Sequence, residues 1–424
     1  MSSSTAFPRL ALAAGCCTVG DGLRLVALPL LAATITRNPV LISGLVAAAY
    51  LPYVLFGLPI GAMVDRGRPE VFLRMANVAR AVLLTCLVVL LSADVQSIGL
   101  LCLLAFVLGT AEAVYDNATQ SLVPRIVVND RFEMANGTLV TLELVGEDLV
   151  GPALAGLLFA VSMVLPFGLS AGLLALSVLV LLRITTAAQP RPATSAGLGA
   201  EMMAGLRWLW AARFVRRLLL TGAVLTGATM AWEATLVLLA LGPMGVSPAS
   251  YGLILAGGAV GGVLGALCTP ALVGRHDRWL LQLIALTAGG MVDLALAAFP
   301  RPWVAALAWG VTGFVFAVWI VLSASARQRL IPPALLARVN SAGRMLLMAA
   351  IPLGALTGGV LAQAFGLRAP ALVSGAALLV LALVLRAGQP TGSSSVADQR
   401  PAGAWRSARV SCQRALVSQR CHSC

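Results

Sequence analysis

Residues 57–80 read GLPIGAMVDRGRPEVFLRMANVAR, a charged segment between two apolar runs. The first run ends at Gly61, and Asp65, Arg66 and Arg68 follow before the second run begins. A membrane-spanning helix needs a long run of predominantly apolar residues. The stretch therefore predicts two membrane-spanning helices joined by a very tight, charged turn.

The composition of the whole chain agrees with a membrane location. Of its 424 residues, 59% are hydrophobic and 11% charged, and the mean hydropathy is +0.94. A soluble protein of this size could not solvate so apolar a surface. The net charge of +13 would suit nucleic acid, but the arginines lie between the apolar runs and not in one block. We therefore expect no nucleic-acid partner.

We expect neither a cofactor nor a metal site. Five of the eight cysteines fall in apolar runs, where cysteine behaves as a small hydrophobic residue. The phosphate-binding pattern GxxxxGK[ST] does not occur in the sequence, so the chain has no ATP site of its own.

Twelve apolar runs are long enough to cross a bilayer. Spanning about 30 Å at about 1.5 Å per residue takes about 20 residues. Backbone polar groups in hydrocarbon must be bonded internally, so each run is predicted to be a helix. The predicted fold class is an all-α membrane protein with twelve transmembrane helices. The runs are 7–34, 40–64, 71–92, 97–117, 136–160, 164–184, 216–241, 249–271, 279–299, 302–324, 343–365 and 369–387.

The arginines predict the orientation. If the N-terminus is cytoplasmic, the outer loops hold only Arg37, Arg301 and Arg368, and the other arginines outside the spans lie on the inner side. This bias predicts a multi-pass protein of the cell membrane with both termini in the cytoplasm. Asp21 and Arg24 interrupt the first run, so we interpret it as a spanning helix and not as a removed signal peptide.

An internal repeat divides the chain in two. Ser43-Gly44-Leu45 recurs 208 residues later as Tyr251-Gly252-Leu253, and the pattern AxQxLxP at 118–124 recurs at 326–332. We predict two parallel six-helix halves, 1–184 and 216–387, with the substrate site between them near the midplane. The linker 185–215 is expected to be either an interfacial amphipathic helix or a plain cytoplasmic helix. The cytoplasmic tail 388–424 is expected to be disordered.

The segment Gly61-Ala-Met-Val-Asp65-Arg66-Gly-Arg68 resembles the signature loop of the major facilitator superfamily. Pro69 and Glu70 depart from it, since basic residues are common there. Further segments are similar to the drug-exporter branch that includes the macrolide and enterobactin exporters, and the resemblance covers about residues 7–387. Those segments are Gly20-Asp21-Gly22, Tyr50-Leu-Pro52-Tyr53, Glu112 to Pro124, Ala135-Asn136-Gly137 and Gly205-Leu206-Arg207-Trp208.

The fifth helix is similar to the antiporter motif of drug exporters, in which glycines allow close helix approach and a proline bends the helix. Its spacing from Gly146 to Gly151 is one residue longer than in that motif, and Pro152 and Gly156 follow. Ordinary packing of small residues is the alternative interpretation. The arginine that the resemblance leads us to expect in helix 4 is absent between residues 97 and 117, so coupling would have to use carboxylates.

Charged residues inside the predicted spans need a reason, because each costs about 2.5–3.5 kcal/mol or more on insertion scales. Asp21 and Arg24 share one face of helix 1. They either form a mutual ion pair that permits insertion, or Asp21 faces the central cavity and binds a proton or a cationic substrate. Burial favours the neutral form of a carboxyl group, which suits proton exchange.

Further carboxyl groups lie on helices 5 and 7. Glu143 and Glu147 share a face and would repel each other if both were ionised, and Glu147 approaches the midplane. We prefer Glu233 of helix 7 to Asp293 of helix 9, because in the resembling fold helix 7 lines the cavity. The candidates for proton coupling or substrate binding are Asp21, Arg24, Glu143, Glu147, Asp148 and Glu233.

The charged turn suggests a gate. We expect Glu112 and Asp116 to pair with Arg66, Arg68 or Arg80. The resemblance implies that Asp65 faces the start of helix 11 near 341–344, where the helix dipole favours a carboxylate and the pair acts as a latch on the inner side. The predicted gating residues are Gly61, Asp65, Arg66, Arg68, Arg80, Glu112 and Asp116.

The resemblance implies a secondary active transporter, not an enzyme. We expect a monomer that exports amphiphilic small molecules in exchange for protons by alternating access across the lipid bilayer. Two alternatives stay open: a siderophore exporter or lysolipid flippase on the same fold, and a membrane sensor that transports nothing.

Overall fold

The computed structural model describes residues 6–127, 131–184, 212–331 and 333–387. Within these ranges the chain forms helices and no strand. Of the described helices, eleven are long and apolar enough to cross a membrane, and Leu165–Leu181 is a shorter apolar helix. The all-α fold is therefore confirmed, and eleven spanning helices with one shorter apolar helix approximately fit the predicted count of twelve. The helices are α1 Ala6–Ile35, α2 Pro39–Arg66, α3 Pro69–Ser92, α4 Ile98–Ile126, α5 Phe132–Val161, α6 Leu165–Leu181, α7 Arg213–Leu241, α8 Pro248–Arg275, α9 Arg278–Ala298, α10 Pro302–Leu330, α11 Pro333–Phe365 and α12 Ala369–Ala387.

The charged turn between α2 and α3 is as tight as predicted. Helix α2 ends at Arg66, and Gly67 caps it by donating its N–H to the carbonyl of Val64. Arg68 is the N-cap of α3, which begins at Pro69. Proline suits the first helical position because its missing N–H would have no partner there.

Several helices are longer than the apolar runs that predicted them. Helix α4 continues to Ile126 and α10 to Leu330, while α11 begins at Pro333. The length rule measures only the part in hydrocarbon, whereas helical hydrogen bonds continue into polar sequence beyond it. Helix α7 begins at Arg213, inside the predicted linker 185–215. Most of that linker and the tail 388–424 lie outside the described residues, as do the predictions made for them.

The helices pack as two groups of six. Helices α1, α3 and α6 pack together in the first half beside the pair α2–α4, and α8–α10, α9–α12 and α7–α11 pack in the second. The main contacts between the halves are α2 with α11 and α5 with α8. Arg9 donates a hydrogen bond to the carbonyl of Arg183 over 3.1 Å, which places the start of α1 beside the end of α6. We call this the termini side of the bundle, and the opposite end the far side.

The far side is closed. One apolar core joins the far-side parts of both halves, and it includes Leu30 and Leu31 of α1 and Leu236 of α7. Gly359 of α11 lies directly against Ser43 of α2. Small residues at such contacts let helix backbones approach closely, which is how helices pack in a membrane.

Candidate functional site

Helix α5 contains a π-helical segment from Leu144 to Val150. Gly151 donates its N–H to the carbonyl of Gly146, five residues earlier, which is the bond that defines a π turn. The spacing of five between these glycines therefore corresponds to one π turn. Both glycines consequently face α1, Gly146 against Thr18 and Gly151 against Gly22.

The rest of the helix-5 motif packs on the other half. A Cβ atom on Gly156 would lie 3.0 Å from the Cα of Gly252 in α8, so this contact requires glycine. Pro152 has no N–H to donate, which leaves a carbonyl of the preceding turn free to rearrange. Close approach of helices is expected both for the antiporter motif and for ordinary packing of small residues, so it does not distinguish the two interpretations. The π segment favours a functional role, since such segments occur frequently at functional sites.

The π segment carries two of the predicted carboxyl groups. Glu147 lies within electrostatic range of Glu112 and Asp148. Asp148 in turn lies within range of Glu233 of α7, across the boundary between the halves. Glu143 also interacts with Asp148. The structure thus brings four predicted residues together, and we call them the interface acids: Glu143, Glu147, Asp148 and Glu233.

Tyr50 of α2 lies beside the interface acids. Its phenol lies within electrostatic range of Glu112, Glu147 and Glu233. Arg344 of α11 is the cation that interacts with Glu143, and it also forms an ion pair of 3.8 Å with Asp116. Among the described residues the interface acids therefore outnumber the arginine beside them, and ionising all four acids would create strong repulsion.

A second group of charges lies within the first half. Asp21 forms an ion pair with Arg80 of α3, and Arg24 forms one of 2.6 Å with Glu112 of α4. Arg24 and Asp21 approach to 3.8 Å, which links the two pairs. We call Asp21, Arg24, Arg80 and Glu112 the buried quartet. With two cations and two carboxylates it can be neutral as a whole.

The quartet overturns the expectation that Asp21 faces the central cavity. The Asp21 side chain is 8% exposed and points into the first half, because Arg80 of α3 is buried there. Arg80 also donates to the Asn77 side chain over 3.2 Å and stacks over the Tyr115 ring at 5.6 Å. A single pair between Asp21 and Arg24 is also too simple an interpretation, since each has a closer partner.

The predicted partners within the gate are wrong. Glu112 pairs with Arg24, while Asp116 accepts a hydrogen bond of 3.0 Å from the Tyr53 hydroxyl and pairs with Arg344. The register of α2 and α4 explains this. Asp65 lies beside Ser121, so Asp116 is at least about 7 Å deeper in the bundle than the turn that holds Arg66.

Asp65 also has a partner that was not predicted. Its carboxylate accepts a hydrogen bond of 2.6 Å from the Ser121 hydroxyl. Arg344, expected near Asp65, is the residue that pairs with Asp116. Arg68 approaches Glu70 at 3.8 Å and remains mostly exposed. Gly61 lies against Asn117 of α4, which fixes the approach of α2 to α4.

Three comparisons with known proteins bear on this arrangement. Residues 2–418 match the family described as transmembrane secretion effectors, a group of the major facilitator superfamily. The chain belongs to this family. It is 26% identical over 374 residues to the multidrug efflux pump Tap of Mycolicibacterium fortuitum, covering 86% of this chain and 91% of Tap.

Solved structures of major facilitator transporters share the fold. A bacterial homologue of the iron transporter ferroportin superposes with a TM-score of 0.70 at 17% identity, covering 91% of this chain and 99% of the homologue. The nucleoside transporter NupG gives 0.68 at 16% identity, with coverage of 90% and 98%. At these identities the likeness establishes the fold alone. Because the chain belongs to the family of transmembrane secretion effectors, it is a transmembrane transporter of small molecules and not an enzyme.

Several residues of the facilitator's charge networks were missed by the sequence analysis. Tyr50 and Tyr53 were noted only as part of a family segment, and Arg344 only as the end of a stretch. Asn77, whose side-chain amide donates to the Ser177 hydroxyl over 3.0 Å, lies in the quoted stretch 57–80 but was assigned no role. These residues could have been found in the sequence, because each is a polar, charged or aromatic residue inside or beside a predicted span that carries other charged residues.

The described residues contain no group of three or more histidine, cysteine or acidic residues placed to hold a metal ion. The tail ends in Cys421-His-Ser-Cys424, a spacing found in metal and redox sites, which qualifies the expectation that such sites are lacking. Residues 421–424 lie outside the described part of the chain.

Proposed function

We propose that this transporter exports amphiphilic small molecules in exchange for protons, by alternating access between its two halves. The observation that carries the proposal is that Asp148 in α5 lies within electrostatic range of Glu233 in α7. These carboxyl groups belong to different halves, so a change in their protonation alters the force between the halves. Proton binding can thereby favour one arrangement of the halves over the other.

The interface acids also suit the substrate. An excess of carboxyl groups attracts cations, and the apolar helices around them accommodate the rest of an amphiphilic molecule. A proton and a cationic substrate would then compete for the same carboxylates. The relative Tap is named as a multidrug efflux pump, which supports export of drug-like compounds by this chain.

The proposal places a monomer in the cell membrane with both termini in the cytoplasm. The termini side carries most of the arginines, and the far-side loops carry Arg37, Arg301 and Arg368. Positive charge is retained on the cytoplasmic side of membranes, which supports this orientation. The closed far side then makes the described conformation accessible only from the cytoplasm.

Everted membrane vesicles test the proposal directly. Acidifying the vesicle interior should drive uptake of ethidium or a macrolide by the wild-type protein. Glu147→Gln and Glu233→Gln should each reduce uptake to the level of vesicles without the protein, because glutamine keeps the shape but cannot exchange a proton. Accumulation of the probes is measured by fluorescence for ethidium and by radiolabel for the macrolide.

The matched control is Glu133→Gln, which removes an acid from the first turn of α5, away from the π segment. This variant should transport like the wild type. Wild-type vesicles that move neither probe would contradict export of amphiphilic drugs. Full proton-driven uptake by both the Glu147 and Glu233 variants would contradict coupling through the interface acids.

A further inference from the structure

Asp293 of α9 is a buried carboxyl group that the interface acids and the quartet leave unused. Asp293 as a whole is 1% exposed. It is flanked on its own helix by Val292 and Leu296, which belong to the apolar core that closes the far side. By helix rise it lies about 8 Å from the far-side end of α9, inside the bundle.

The carboxyl group has one hydrogen bond and one free oxygen. The Ser374 hydroxyl of α12 donates to Oδ2 over 2.7 Å. The other oxygen, Oδ1, has no hydrogen-bond partner. The indole N–H of Trp232 in α7 lies beside the same carboxyl group and is itself buried without a hydrogen bond. One small movement of α7 would therefore bring a second donor onto the carboxyl group.

No cation of the described helices neutralises Asp293. On α9 and the helices around it, the arginines lie near the termini side: Arg216 and Arg217 of α7, Arg275 of α8, Arg278 of α9, Arg327 of α10 and Arg386 of α12. Arg301 and Arg368 lie on the far side, in loops, and are exposed. Glu233, directly after Trp232, interacts with Asp148 instead. An ionised carboxylate in such apolar surroundings would be strongly penalised.

We propose that Asp293, Ser374 and Trp232 form a second proton-binding site, within the second half, that is loaded while the far side is closed. In the closed form Asp293 carries one proton and no charge. On release the proton passes to water, and the remaining carboxylate accepts hydrogen bonds from Ser374 and Trp232. The apolar surroundings therefore favour the neutral form of Asp293, and the donors Ser374 and Trp232 can stabilise its ionised form.

Trp232 connects this site to the interface acids. It directly precedes Glu233 on α7, and its ring meets the Trp309 ring of α10 edge to face at 5.3 Å. A movement of α7 that changes the surroundings of Glu233 must also move the indole beside Asp293. The inference extends the proposed proton coupling, but its test needs no transported substrate.

Infrared spectra of the purified full-length protein, reconstituted in lipid, test the site with protons as the only probe. As the pH is raised, the wild type should lose a carbonyl band of a protonated carboxyl group that Asp293→Asn does not show. Asparagine keeps the side-chain shape and can still bond Ser374. Ser374→Ala keeps the acid, so its band should persist but shift in frequency.

Glu133→Gln is the matched control, since it removes an acid far from the site and should leave the Asp293 band in place. Identical bands in the wild type and in Asp293→Asn would overturn the proposal. So would an Asp293 band that never titrates at any pH where the helices remain folded, because that proton would be permanent. Absence of drug transport by the wild type in the vesicle assay, together with an Asp293 band that titrates, would count against the proposed function alone.

Discussion

Arg80 shows most clearly how single residues support this bundle. It is fully buried and contacts Asp21, Asn77 and the Tyr115 ring. A buried charge of this kind costs more to leave unpaired than an exposed ion pair contributes. The quartet therefore holds α1, α3 and α4 in one arrangement, and the neutrality of the set is what allows it to lie inside the membrane.

Replacing Arg80 by methionine should destabilise the protein by about 3–5 kcal/mol, because Asp21 loses its close partner while remaining buried. The double variant with Asp21→Asn should recover part of the loss, since no unpaired carboxylate is left. Thermal unfolding of the purified protein in detergent measures both. Arg68→Met is the control: Arg68 is 62% exposed, and its removal should change stability by at most about 1 kcal/mol. Equal losses for the two arginines would refute this account of the quartet.

The pairing of Arg80 with Asp21 could not be predicted from the sequence. Spacing along one helix suggested Asp21 with Arg24, because residues three apart share a face. Which face of α3 meets α1 depends on the packing of the whole first half, and no local pattern contains it. The sequence did show that Asp21 on α1 needs a partner, because an unpaired charge in an apolar run is costly.

At the scale of the helix, α5 depends on its π turn. The spacing of five between Gly146 and Gly151 was visible in the sequence but was treated as a departure from a known motif. In an α-helix, residues five apart point in different directions, whereas one π turn brings them onto the same face. Spans and turns follow from local hydrophobic patterns, which is why they were predicted correctly, while a single π turn leaves only this faint signal.

Gly151→Ala should therefore disturb α5 far more than an ordinary glycine replacement. The new Cβ would lie 2.5 Å from the Cα of Gly22, so α1 and α5 must separate. Overpacking of this kind costs about 1–3 kcal/mol. Gly137→Ala, on the same helix, meets nothing within 4 Å and should be neutral or slightly stabilising. Melting temperatures of the two purified variants decide the matter, and equal values would show that the α1–α5 contact does not require glycine.

For the whole molecule, the far side is closed by contacts between the halves. Gly359 of α11 against Ser43 of α2 is one of them, and Gly156 against Gly252 is its counterpart between α5 and α8. Both pairs join helices of different halves, so separating the halves on this side must break them. The halves were predictable from the repeat, but which side is closed depends on these contacts and could not be.

Gly359→Leu should shift the molecule towards the form that is open on the far side. A side chain at this position must displace Ser43, and its Cβ would lie 3.0 Å from the carbonyl of Pro39, so closure becomes unfavourable. The open form is then populated more because its competitor is destabilised. Hydrogen exchange of the protein in lipid nanodiscs should speed up in the far-side ends of α2, α7 and α11, where backbone groups gain access to water. Gly44→Leu, one residue from Ser43 but with nothing within 4 Å, should exchange like the wild type. Unchanged exchange in the Gly359 variant would mean that the α2–α11 contact does not hold the far side closed.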